Sequence, residues 1–86
     1  MTGDSNFAIK VKLIFFGPLA EHIGEREIEV IVSHGSTVLD LIDRFGLLGF
    51  IDSGLRIAID GEIGAGLEEV LQDNSELALL PPVSGG

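Results

Sequence analysis

Residues 36–45, Ser-Thr-Val-Leu-Asp-Leu-Ile-Asp-Arg-Phe, decide how the rest of the chain must be arranged. Val38, Leu41, Ile42 and Phe45 recur at i, i+3, i+4 and i+7, which gathers them into one apolar stripe along a helix. Asp40, Asp43 and Arg44 fall on the opposite, solvent side. Ser36 or Thr37 can accept from the free N–H groups of the first turn, and Gly46 and Gly49 stop the helix. This is the main helix that the sequence predicts. Its stripe needs one broad apolar surface, and one face of a sheet is the available partner.

Upstream of the helix, Arg26–Val32 reads as a strand, with Ile28, Val30 and Val32 alternating with Glu27, Glu29 and Ile31. Ser33-His34-Gly35 is the turn that leads into the helix. Further back, Phe7–Phe16 is a strand with Ile9, Val11, Leu13 and Phe15 on one face and Lys10, Lys12, Ile14 and Phe16 on the other. Gly17-Pro18 ends it; Pro18 suits the first position of a short helical turn through Ile23, which Gly24 caps. Downstream, Leu47–Gly54 is a loop with one apolar plug, Phe50 or Ile51. Leu55–Asp60 is a third strand, with Leu55, Ile57 and Ile59 inward and Arg56, Ala58 and Asp60 outward. Asp60-Gly61 is a strong hairpin signal. Glu62–Gly66 reads as a weak strand and a bend, Leu67–Leu71 as one helical turn, and Glu76–Leu80 as the last strand, with Leu77 and Leu79 inward.

The order strand, strand, helix, strand, strand puts the helix across one face of a mixed sheet whose first and last strands are central neighbours. That is an α+β chain of the β-grasp, or ubiquitin-like, architecture. The division is a loose leader at 1–6, one domain at 7–80 and an extended tail at 81–86.

Composition narrows what such a domain can do. The chain has 86 residues, 45% of them apolar and 22% charged, which suits one small globular domain. No apolar run approaches the roughly 20 residues of a membrane helix, no secretory signal is expected, and a cytoplasmic setting follows. The absence of Cys excludes disulfides, thiolate metal sites and cysteine nucleophiles, and no metal site is expected. Fourteen acidic against five basic residues give a net charge of −9, which opposes binding to nucleic acid or to anionic membranes and favours basic partners. His22 and His34 stand alone, and Asp60 and Glu62 flank a hairpin, so none of them reads as catalytic.

Strand parity isolates a candidate contact surface. Ile14, Phe16, Ala58 and Leu80 all fall on the sheet face away from the helix, where apolar groups are open to water unless a partner covers them. Burying Phe16 or Leu80 in a complex is worth roughly 1.5–3 kcal/mol each.

The chain then reads Pro81-Pro82-Val83-Ser84-Gly85-Gly86. The prolines cannot donate to the ladder and so eject the chain from the sheet. At roughly 3.3–3.6 Å per residue the tail can reach about 20 Å. Gly85 and Gly86 lack Cβ atoms and can thread a channel closed to side chains. Its tip offers one functional group, the carboxylate of Gly86. Ionised at neutral pH, with a pKa of about 3.3–3.7, it is a poor electrophile until activated, for example as an acyl-adenylate made by a partner using ATP. Sulfide attack on that anhydride gives a thiocarboxylate, and amine attack gives an amide. No cofactor is expected on this chain itself.

KLIFFGPLAEHIG at 12–24 and ELALLPPVSGG at 76–86 resemble the MoaD-type sulfur carriers, the small subunits of molybdopterin synthase. The resemblance implies a β-grasp fold and a terminal glycine adenylated by an E1-like enzyme and converted to a thiocarboxylate. It further implies a tail, Pro81 to Gly85, that threads into a large MoaE-type subunit, where Gly86 donates sulfur to the molybdopterin dithiolene within a heterotetramer. It also implies that Phe16, Ile63 and Leu80 belong to an apolar patch that meets those partners. Archaeal small modifier proteins, which are joined to lysines, look similar, as do the carriers that supply sulfur for thiamine or tRNA.

Overall fold

The computed structural model describes residues 7–82; the leader at 1–6 and the tail residues Val83, Ser84, Gly85 and Gly86 lie outside the described residues. The elements are β1 (Ala8–Phe15), α1 (Pro18–Ile23), β2 (Glu27–Ser33), α2 (Val38–Arg44), one 3-10 turn (Leu48–Phe50), β3 (Arg56–Ile59), β4 (Glu62–Ile63) and β5 (Ser75–Leu80). They form one five-stranded sheet in the order β2-β1-β5-β3-β4. The central pair, β1 and β5, is parallel, and every other pair is antiparallel. This is the β-grasp arrangement that a single amphipathic helix between the second and third strands requires.

The core forms where the two periodicities meet. Val38, Leu41 and Ile42 of α2 are buried against the inward residues of the sheet, among them Val11, Leu13, Ile57, Leu77 and Leu79. The ring of Phe45, at the end of α2, meets Phe15 of β1 edge-to-face at 6.1 Å. Thr37 caps the helix reciprocally: its Oγ1 accepts from the Asp40 N–H at 3.2 Å, and the Asp40 carboxylate accepts from the Thr37 N–H at 2.9 Å. Gly24 closes α1 in the left-handed conformation, at φ 92°. Asp60 and Gly61 both have positive φ, 51° and 87°, as a tight turn between β3 and β4 requires.

Three expectations fail, each for a physical reason. Leu67–Leu71 does not make a helical turn. The first N–H groups of α2 have no partner inside the helix, and they draw this segment alongside it. Val38 N–H donates to the Glu69 carbonyl at 3.0 Å and Leu39 N–H to the Leu67 carbonyl at 2.9 Å, while Leu71 N–H returns to the Ser36 carbonyl at 2.8 Å. The plug of the 47–54 loop is Leu47, which is fully buried, whereas Phe50 and Ile51 are half-buried. Gly46, at φ 73°, turns the chain so that Leu47 reaches the core directly after the helix. Ala58 points to the outer face yet is buried, because its single methyl is flanked across the strands by Ala78 and Ile63.

Candidate functional site: the outer sheet face and the root of the tail

The outer face of the sheet is divided along the strands. Towards the start of β5 it is polar: Lys12 lies opposite Glu29 on one side and Glu76 on the other. Towards the end of β5 it is apolar. Ile14 lies opposite Ala78, Ala78 opposite Ala58, and Ala58 opposite Ile63, so one row of apolar side chains crosses four strands. Directly opposed residues on neighbouring strands share a face and touch. Two residues further along β5, Leu80 lies opposite Arg56. Beside it the Phe16 N–H donates to the Leu79 carbonyl at 3.2 Å, which fixes Phe16 next to Leu80 just past the end of β1.

The structure therefore brings Ile14, Phe16, Ile63 and Leu80 to one end of one face. Phe16 is 45% exposed and Ile63 58%, while Ile14 and Leu80 are half-buried. An open groove adjoins this patch, lined by Ile14, Phe16 and Gly17 together with Glu21, Glu25, Arg26 and Glu27. Arg56 is the one basic side chain that the pairing sets beside the patch, and sequence reasoning had placed it outward without assigning it a role.

The tail begins in the same place. Pro81 and Pro82 follow Leu80 without joining the sheet, Pro81 half-buried and Pro82 exposed. Each rests on a glycine of a different loop. A Cβ added to Gly17 would meet the Pro81 Cγ at 3.5 Å, and a Cβ added to Gly54 would meet the Pro82 Cβ at 3.2 Å. In the sequence Gly17 reads only as a strand end and Gly54 only as a loop boundary, and neither signals a contact with the prolines. The remaining expected tail residues, Val83, Ser84, Gly85 and Gly86, lie outside the described residues.

The polar groups away from the patch have structural occupations. The Asp60 carboxylate accepts from the Glu76 N–H at 2.9 Å, and the Asp60 N–H donates to the Glu76 carbonyl at 2.9 Å, so this acid pins β5 to the hairpin. The Asp73 carboxylate accepts from the Lys10 N–H at 2.9 Å and holds the other side of β5 to β1. The exposed His22 ring stands edge-on to Phe50 at 5.5 Å, and the His34 ring edge-on to Phe7 at 6.4 Å. Among the described residues no cluster of three or more His, Asp or Glu side chains could hold a metal, and no helix is long and apolar enough to cross a membrane.

A β-grasp body with an apolar sheet face beside a proline-led C-terminal segment defines a ubiquitin-like protein. Residues 13–86 match the ThiS family, and the chain belongs to that family. It is 36% identical over 83 residues to small archaeal modifier protein 1 of Haloferax volcanii, covering 83% of this chain and 94% of that one. A crystal structure of that archaeal protein superposes with a TM-score of 0.72 at 32% identity, covering 90% of this chain and 99% of the other. The chain is also 29% identical over 84 residues to the molybdopterin synthase sulfur carrier subunit of Caenorhabditis briggsae, covering 91% of this chain and 99% of that subunit. A complex of subunits 1 and 2 of molybdopterin-converting factor from Helicobacter pylori contains a chain similar at 27% identity, with a TM-score of 0.62 and coverage of 91% and 100%.

Proposed function

We propose that this chain is a sulfur carrier, the small subunit of a molybdopterin synthase, and that its working group is the carboxylate of Gly86. The observation that carries the reading is the continuity of the apolar patch with the root of the tail. Phe16 and Leu80 adjoin Pro81, so a partner that covers the patch also receives the segment leading to Gly86. The likeness to the sulfur carrier subunit and to the subunit complex supports a large MoaE-type partner. In this reading two copies of each chain form a heterotetramer.

The chemistry follows from the carboxylate. One of its oxygens attacks the α-phosphorus of ATP on an E1-like adenylating enzyme, pyrophosphate leaves, and an acyl-adenylate forms. A sulfide-equivalent donor then attacks the carbonyl carbon, AMP leaves, and a thiocarboxylate remains. Threaded into the large subunit, the thiocarboxylate sulfur bonds to a pterin-substrate carbon as an oxygen leaving group departs. Water then cleaves the acyl C–S bond, leaving the sulfur on the pterin and returning Gly86 to a carboxylate. Gly85 gives clearance, and Val83 and Ser84 span the channel. Ile14, Phe16, Ile63 and Leu80 form the docking patch, and Arg56 adds a charge at its edge. The cytoplasm is the setting in which ATP and both partners meet the chain.

The 36% identity to small archaeal modifier protein 1 favours a second use of the same acyl-adenylate, attack by a lysine amine to form an isopeptide bond. Incubating the full chain with ATP, its activating enzyme and a sulfide source separates the readings. The carrier reading expects an intact mass higher by about 16 Da, one oxygen replaced by sulfur. Adducts carrying the mass of other proteins, without the sulfur form, would favour the modifier instead.

A further inference from the structure

The way the two prolines sit on the body has a consequence for how the tail is aimed. Pro81 and Pro82 rest on Gly17, between β1 and α1, and on Gly54, between the 3-10 turn and β3. Both glycines have positive φ, 56° and 97°, and Gly17 combines this with ψ −131°, a region essentially restricted to glycine. At Gly54 the space adds to the angle, since a Cβ there would stand 3.2 Å from the Pro82 Cβ and Pro82 would have to give by a few tenths of an ångström.

Both supports are stiff. The Gly17 carbonyl accepts from the Ala20 N–H at 3.0 Å, so it is part of the first turn of α1. The Gly54 loop is cross-tied by Ser53 N–H and Leu55 N–H, each donating to the Phe50 carbonyl at 3.1 Å, and by Gly54 N–H to the Ile51 carbonyl at 3.1 Å. The edge contact of His22 with Phe50, 5.5 Å between ring centres, braces α1 against that loop.

We infer that Gly17 and Gly54 are positioning residues: a two-sided glycine clamp that seats Pro81 and Pro82 and sets the direction in which the tail leaves the body. This rests on the reading of Gly86 as the reacting end. The prolines bring fixed φ angles, and the glycines bring surfaces without side chains on which the rings can lie. With Pro81 and Pro82 seated, the body itself sets the direction in which the chain continues towards Gly86. Orientation supplied in advance lowers the ordering cost of receiving the tail. When the tail is placed only after the body has docked, that cost falls on the bound step, where a misplacement of about 1 Å can cost about a hundredfold.

The test compares Gly54→Ala with Gly35→Ala in the full chain. Gly35 has nearly the same φ, 94°, but open space where its Cβ would go. Both variants therefore place Ala at a similar positive φ, and only Gly54→Ala also meets Pro82. Two readouts are taken: proton NOEs between Pro82 and Gly54 (or the residue replacing it) in the isolated protein, and the kinetics of adenylation by the activating enzyme with ATP. Wild type and Gly35→Ala should keep the NOEs and similar kinetics. Gly54→Ala should displace Pro82, seen as altered Pro82 NOE intensities and chemical shifts, and lower kcat about tenfold while KM stays within about twofold. Should Gly54→Ala not fold, Pro82→Gly removes the contacting ring from outside the body and should give the same split between kcat and KM. The clamp is overturned if wild type lacks the Pro82–Gly54 NOEs, or if the variants that disturb Pro82 turn over like Gly35→Ala. Wild type that shows the NOEs but is never adenylated would instead overturn the carrier reading, and with it the purpose of the clamp but not its geometry.

Discussion

Phe16 carries the sharpest demand at the level of single residues. It is 45% exposed beside Leu80, so an acid there costs the fold little and places a desolvated charge in any complex. Phe16→Asp should leave Tm within a few degrees and weaken binding to the large subunit about tenfold to a hundredfold, by calorimetric titration. Unfolding of the variant would mean that Phe16 belongs to the core. Asp60 has the opposite character: its carboxylate accepts from Glu76 N–H, and its φ is 51°. Asp60→Ala should cost about 1–2 kcal/mol in denaturant unfolding, and Asp60→Asn much less, because Asn keeps the acceptor and tolerates the left-handed angle. Parity along β1 and β5 was enough to find Ile14, Phe16 and Leu80 in the sequence. Ile63 came only through the family resemblance, because the two-residue strand β4 is too short to show alternation.

Elements were legible in proportion to their internal logic. The stripe of α2, the alternation of β1 and β2 and the Asp60-Gly61 turn are written in local spacing and came out as expected. Leu67–Leu71 was misread because its conformation is dictated by N–H groups on α2, some thirty residues earlier in the sequence. Phe50 or Ile51 is expected in place of Leu47 because local spacing does not say which loop residue meets the core first. Both points can be measured. Thr37→Ala removes one half of the cap and should lower stability by about 1 kcal/mol, a Tm shift of roughly 4–8 °C. Leu47→Ala should cost about 2–5 kcal/mol, the scale of a cavity in the core, whereas truncation of the exposed Leu48 should cost little.

Across the whole molecule, the body and the tail divide the work. Among the described residues the main helix covers one sheet face and not the other, whose apolar end borders the point where the chain leaves the sheet. A net charge of −9 over so small a surface steers the chain towards basic partners, so association with them should slow steeply as salt rises. The seating of Pro81 on Gly17 and Pro82 on Gly54 could not be read from spacing, since it joins loops far apart in the sequence. With the Gly86 carboxylate proposed as the reactive group, the body should be indifferent to its loss. Removing Gly86 should leave Tm and affinity for the large subunit unchanged while abolishing sulfur transfer. The most direct measurement is the intact mass of the full chain isolated from its own cells, beside the same chain lacking Gly86. The account predicts a population heavier by about 16 Da in the first and none in the second. An unshifted mass in both, or the same shift in both, would contradict it.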